Sequence, residues 1–205
     1  MSSRPSTVER ATDTGRDPAE GSRPLRSDAK RNNALLIDAA RGAFAEEGGQ
    51  VSMESIAKRA GVGIGTLYRH FPKRIDLVEA VYRTDVDGLV ELAAELAASG
   101  DPWPALVAWL EGFVQYAQTK RTFLNELFEA FEKHPELKVV SRERLQEALS
   151  SVLVRAQDAG EVRRDVGAAD VMQLLGPMCT SPTLSHGQID RLLLVVEDGL
   201  RQPTT

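Results

Sequence analysis

The stretch Ser52–Phe71, SMESIAKRAGVGIGTLYRHF, leaves few folds open to this chain. Ser52 is a good helix N-cap, because its hydroxyl can accept from the unpaired amides of a first turn. Ile56, Ala57 and Ala60 follow at helical spacing and make one face apolar and partly small. Gly61 then stands where that helix must stop and the backbone turns left-handed. Val62 is a core plug, and Gly63-Ile64-Gly65-Thr66 opens a second helix that carries Leu67, Tyr68, Arg69 and His70. Ala57, four residues before the turn glycine, is small enough to let the second helix cross closely. This is the pattern of a helix-turn-helix, whose second helix lies in a DNA major groove.

The flanks extend the same reading. Met1–Asp28 is rich in Ser, Thr, Arg, Gly and Pro with almost no apolar content, which predicts a disordered tail. Its Arg16, Arg23 and Arg26 could serve as an arm toward DNA or be merely solvated. Ala29–Gly48 predicts a first helix with an apolar stripe of Leu35, Leu36, Ala39, Ala40, Ala43 and Phe44. Pro72 ends the second helix of the motif, and Lys73-Arg74 opens a long helix running through Ile75, Leu77, Val81, Val86, Leu89 and Leu96. After the break at Ser99-Gly100-Asp101-Pro102, helices are predicted over Trp103–Thr119, Thr122–Lys133, Pro135–Asp158, Ala168–Cys179 and Ile189–Arg201. Gly176-Pro177 predicts a kink in the penultimate one. No alternating strand pattern is visible, so the fold class expected is all-α.

The run from Ala34 to Val81 joins AAxxxFxEEG, SMxSIAxxAGV and GTLYRHF to a following apolar helix, in that order. It resembles the N-terminal domain of TetR/AcrR-family transcriptional regulators. The resemblance covers about a quarter of the chain. It implies an N-terminal three-helix DNA-binding domain over residues 29–73 and a helical ligand-binding and dimerisation domain over 74–205. Carried onto matching positions, it implies DNA contacts from Arg31, Ser52, Met53, Gly63, Ile64, Gly65, Thr66, Tyr68, Arg69, His70, Lys73 and Arg74. Thr66 and Tyr68 would donate hydroxyls to phosphates, and Arg69 would pair with guanine or bind a phosphate. Where the family usually has lysine, this chain has Arg74. A cation at a helix N-terminus opposes the helix dipole, which favours an outside anion as its partner.

The net charge of −5 alone argues against a nucleic-acid binder, but its distribution argues the other way. Residues 23–83 hold 11 lysines and arginines against 7 acids; residues 84–205 hold 11 against 19. A basic head on an acidic body suits a protein that presents one end to phosphates. One cysteine, Cys179, allows no intrachain disulfide, and no apolar run approaches the ~20 residues of a membrane helix. No signal peptide is evident, so the cytoplasm is the expected location and no membrane partner is expected.

Aromatics gather on the middle helices. Trp103, Trp109, Phe113, Tyr116, Phe123, Phe128 and Phe131 form either core or, as the resemblance implies, walls of an effector pocket. Trp109, Tyr116, Asn125, His134 and Gln173 are the groups able to orient a ligand. The resemblance also implies a homodimer through the last two helices, with Val171, Leu174, Leu175, Met178, Leu192, Leu193, Val195 and Val196 in the interface. No paired carboxylates, Ser-His-Asp arrangement or phosphate loop stands out, and three scattered histidines make no metal site. No enzyme activity, cofactor or metal is expected. The leading expectation is a dimeric regulator on a palindromic double-stranded operator, a repressor released by a small-molecule effector. Two alternatives stay open, a DNA-binding dimer without a ligand and a helical small-molecule binder whose helix-turn-helix is only a scaffold.

Overall fold

The computed structural model describes residues 22–98 and 100–202, and these form helices almost throughout. The expected disordered tail, with Arg16, lies mostly outside the described residues. The first helix, α1 (Ser22–Glu47), begins upstream of the expected Ala29 and takes in Arg23 and Arg26. A 3-10 turn, Gly48–Gln50, leads into α2 (Met53–Arg59) and α3 (Ile64–His70). The long α4 (Arg74–Ala98) links this head to a body of α5 (Pro102–Arg121), α6 (Leu124–Lys133), α7 (Pro135–Asp158), α8 (Ala168–Thr180) and α9 (His186–Leu200). Among the described residues the only ladder pairing is an isolated antiparallel bridge between Val162 and Arg201.

Each boundary of the helix-turn-helix has a local cause. Ser52 sits in extended backbone and its Oγ accepts from the Ser55 amide at 3.1 Å. Gly61 adopts φ +69°, and the Gly61 and Val62 amides donate back to Lys58 and Ala57 at 3.1 and 3.0 Å. That pair of bonds satisfies carbonyls the helix end would otherwise leave open. Leu36, Ala40, Phe44, Ile56, Ala57, Leu67 and Phe71 then close a small core among α1, α2 and α3. Leu35 departs from the expected stripe and is 42% exposed, because it stands at the edge of the buried arc.

In the body, α4, α5 and α7 bury their facing sides on one another, with Trp109, Leu106, Leu110 and Leu149 fully enclosed. Arginines tie the loops to this frame. Arg155 donates to the Leu96 and Gly100 carbonyls at the end of α4, and Arg121 to those of Pro182 and Leu184 before α9. The α9 start precedes the expected Ile189, because Ser185 and Gln188 form a capping box, with the Ser185 amide 2.9 Å from Gln188 Oε1. Pro177 lies within the last turns of α8, which continues through it to Thr180.

Candidate DNA interface and effector pocket

The exposed side of α3 is built by what the core takes away. Leu67 is buried in the head, so helical spacing turns Gly65, Tyr68 and Arg69 outward, and Ile64 at the helix start is exposed as well. Thr66 and His70 are half-buried at the edges of this surface. The Arg69 Nε donates to the Gly65 carbonyl at 3.1 Å and one terminal nitrogen reaches Thr66 Oγ1 at 3.4 Å. The guanidinium is thus folded along its own helix rather than paired with a carboxylate. A Cβ built on Gly63 or Gly65 would meet nothing within 4 Å, so nothing inside the protein requires those glycines to be small. Lys73 and, on α1, Arg31 are exposed; Ser52 is exposed too, but its hydroxyl is engaged as the α2 cap.

Two expected DNA contacts are placed elsewhere. Met53 is buried at the start of α2 and its side chain faces the head's interior rather than a groove. Arg74 turns inward: its terminal nitrogens donate to the Val51 and Gly49 carbonyls, and its Nε lies 3.4 Å from Glu126 of α6. The guanidinium also covers the Phe44 ring at 5.2 Å. A cation at this helix start does need an acceptor, but the acceptors are protein carbonyls and not phosphates. The start of α4 has its own anion in Asp76, whose carboxylate accepts from the amide of Lys73, the residue before the helix, at 2.8 Å.

The same arginine marks a seam between head and body. Phe44 of α1 packs against Phe123, which immediately precedes α6, with ring centroids 5.0 Å apart. A Cβ on Gly49 would come within 2.5 Å of the Thr122 carbonyl, so the head loop and the α5–α6 turn touch backbone to backbone. Arg41 of α1 adds a bond to Asp85 of α4 at 2.6 Å. Burial raises the Asp85 pKa against the opposing pull of Arg41.

On its other face α6 walls a cavity of about 290 Å³ between α4, α5, α7 and α8. Five of the seven expected ligand-site residues line it: Phe113, Tyr116, Phe128, Phe131 and Gln173. The two tryptophans do not. Trp109 is fully buried behind the wall, donating its indole N–H to the Leu89 carbonyl at 3.0 Å and stacking on Phe113. Trp103 lies at the start of α5 under the Arg201 guanidinium, 3.8 Å from its ring centroid. Asn125 and His134 are exposed and do not line the cavity; His134 Nδ1 instead lies 3.4 Å from Glu136.

Sequence reasoning missed Tyr82, Lys120, Lys138 and Arg142 in the lining. Lys120 stands near the end of α5 on the face of Phe113 and Tyr116, so helical spacing carried the signal. Its Nζ lies 5.4 Å from the Tyr82 ring and 5.8 Å from those of Tyr116 and Phe131. Burial, helped by the charge on Lys138, lowers the Lys120 pKa to about 8. Burial likewise raises that of the Tyr116 phenol, with further pushes from Tyr82 and Asp85.

The described residues hold no group of three or more His, Cys, Asp and Glu arranged for a metal, and no helix among them is long and apolar enough to cross a membrane. The Cys179 thiol is buried and its pKa is pushed up to about 11.

Comparison with known proteins agrees with this arrangement part by part. Residues 36–81 match the family described as bacterial regulatory proteins of the tetR family, and residues 101–202 match the C-terminal domain of SbtR-like transcriptional regulators. An HTH-type transcriptional regulator of Staphylococcus aureus is 45% identical over 64 residues, 31% of this chain and 35% of that protein. The match therefore spans about a third of that relative's length. A TetR transcriptional regulator of Streptomyces coelicolor is 36% identical, over 84% of this chain and 99% of that one, with a TM-score of 0.74. A TetR regulatory protein of Mycobacterium vanbaalenii is also 36% identical, over 87% and 99%, with a TM-score of 0.65. LfrR of Mycobacterium smegmatis, solved with proflavine, shares the fold at 21% identity over 86% and 98%, with a TM-score of 0.61. With a full-length relative at 36% identity, and both its head and its body matched, this chain belongs to the TetR family of DNA-binding transcriptional regulators.

Proposed function

We propose that the chain acts as a homodimeric repressor that leaves a palindromic operator when a small molecule enters its body. The observation that carries this reading is the double engagement of α6. Its residues Leu124, Phe128 and Phe131 line the cavity, while Phe123 and Glu126 at its start hold Phe44 of the head and Arg74 at the start of α4. A molecule that fits only a shifted α6 would favour a different head orientation, and by linkage DNA and effector would oppose each other. The bound LfrR structure supports the idea that a body of this fold can hold a small molecule.

Dimerisation is supported by α8 and α9. Leu174, Leu194 and Val195 are 57%, 59% and 65% exposed, and Leu192 is also exposed. With Val171, Met178 and Val196, residues 174, 192 and 195 line one apolar groove between the two helices. Leu175 and Leu193, expected in the interface, are buried in the protomer's own core instead. The double variant L174E/V195E is expected to sediment as a monomer and to lose cooperative operator binding. A variant that stays dimeric would place the interface elsewhere.

The DNA-binding half is tested by selecting duplexes from a random pool and titrating the winner at several salt concentrations. An enriched palindrome with affinity falling steeply as salt rises is the expected result. Replacing both Tyr68 and Arg69 by alanine should weaken operator binding at least ~10-fold, since one base-edge pair alone contributes about 1–3 kcal/mol. The melting temperature should hold, because both side chains are exposed. Unchanged affinity would turn the assignment toward a helical small-molecule binder with a helix-turn-helix scaffold.

A further inference from the structure

We propose that the cavity takes an organic acid, with its anionic head on Lys120 and its apolar body among Phe113, Phe128 and Phe131. This deepens the effector reading above and rests on it for the site's purpose, though not for its chemistry.

The charge balance of the lining is one-sided. Three cations, Lys120, Lys138 and Arg142, face the cavity, and no aspartate or glutamate lines it. Two other cations of the body do meet acids: Lys133 pairs with Glu129 at 2.6 Å and Arg144 with Asp87 at 2.6 Å. Lys120 has instead three aromatic rings within 6 Å. Cation–π attraction offsets only part of what a desolvated ammonium loses. An arriving carboxylate would complete the site with a charge-assisted hydrogen bond in a low-dielectric setting. The remaining walls are mainly hydrocarbon, and about 290 Å³ sits at the small end of ligand pockets, which run from ~300 to 1,000 Å³. The site therefore suits a compact molecule with one acidic end.

None of the lining groups that face Lys120 is an anion. From α7 come Lys138 and Arg142; from α4 and α5 come the Tyr82 and Tyr116 phenols, the latter held neutral by burial. Phe131 faces it from α6, and α8 contributes only the uncharged Gln173 and Thr180. Asp85, the acid whose field reaches Tyr116, is tied to Arg41. Because the Lys120 ammonium titrates near 8, its hold on an anion should weaken as pH rises through that value.

The test uses 4-phenylbutyrate, its amide and 4-phenylbutylamine as matched probes of the full-length protein. Trp103→Phe leaves Trp109, stacked on Phe113 with centroids 5.7 Å apart, as the one indole reporting on the cavity wall. The acid is expected to bind at least ~10-fold tighter than the amide at pH 7, with the amine weakest. That preference should shrink between pH 7 and 9, and Lys120→Gln should abolish it while leaving the helical circular dichroism intact. A second variant, K138Q/R142Q, should reduce it in part. Equal affinity for acid and amide, an unchanged preference in Lys120→Gln, or no acid binding at about 1 mM would overturn the inference. Operator anisotropy run in parallel separates the two readings. Acid binding that leaves operator affinity untouched would support the organic-acid site and overturn effector release.

Discussion

Replacing Trp109 by alanine is expected to destabilise the protein by about 3–5 kcal/mol, the range for removing a large aromatic from a closed core. Trp109 is fully buried, its N–H is bonded to the Leu89 carbonyl, and its ring stacks on Phe113. Its removal would leave a cavity between α4 and α5 and take away the support behind the pocket wall. Thermal unfolding should shift downward by roughly 10 °C for a chain of this length. Trp109→Phe keeps most of the apolar volume and loses only the indole donor and part of the ring, so its cost should be much smaller. An alanine variant that melts like the parent but no longer binds a probe in the cavity would return Trp109 to the ligand site.

Arg74→Met should have the next largest effect, and on two readouts at once. Methionine keeps much of the side chain's length and its cover over Phe44, yet leaves the Val51 and Gly49 carbonyls without their donors. Each lost bond to a charged donor corresponds to ~1.5–3 kcal/mol, reduced here because Arg74 and Glu126 keep some contact with solvent. A net loss of about 1–3 kcal/mol is expected. The second readout is coupling: operator affinity should survive while its response to an effector weakens, since α6 is no longer bolted to the head. Arg74→Lys should fall between the two, because an ammonium cannot hold three acceptors in a planar fork. Loss of operator affinity with an unchanged melting temperature would instead make Arg74 a phosphate contact.

The helix-turn-helix was legible because its determinants are local. A serine hydroxyl within reach of the Ser55 amide, a glycine at φ +69° and a leucine placed to turn inward all act within a few residues. The bounds of α3 and α7 follow from the sequence for the same reason, with Pro72 and Pro135 as punctuation. The start of α9 is equally local, since its Ser185–Gln188 capping box lies in the sequence and opens four residues ahead of Ile189, where the apolar periodicity begins.

Pocket membership could not be read this way. Trp109 and Tyr116 lie on the same face of α5, two turns apart, yet Trp109 meets α4 and Tyr116 meets the cavity. Which neighbour each meets along that face depends on how α4, α7 and α8 pack around it. Likewise, Lys120, Lys138 and Arg142 are ordinary cations in the sequence and become a cluster only when α5 and α7 close around the same space.

The sequence by itself determined the all-α class, the DNA-reading motif and the outward set on α3, because caps, turns and helical period are properties of neighbouring residues. Tertiary structure alone decided the partner of Arg74, the separation of Trp109 from the pocket and the sign of the pocket's charge. Those depend on atoms brought together from distant parts of the chain, where burial and the absence of a carboxylate from the lining set the energetics.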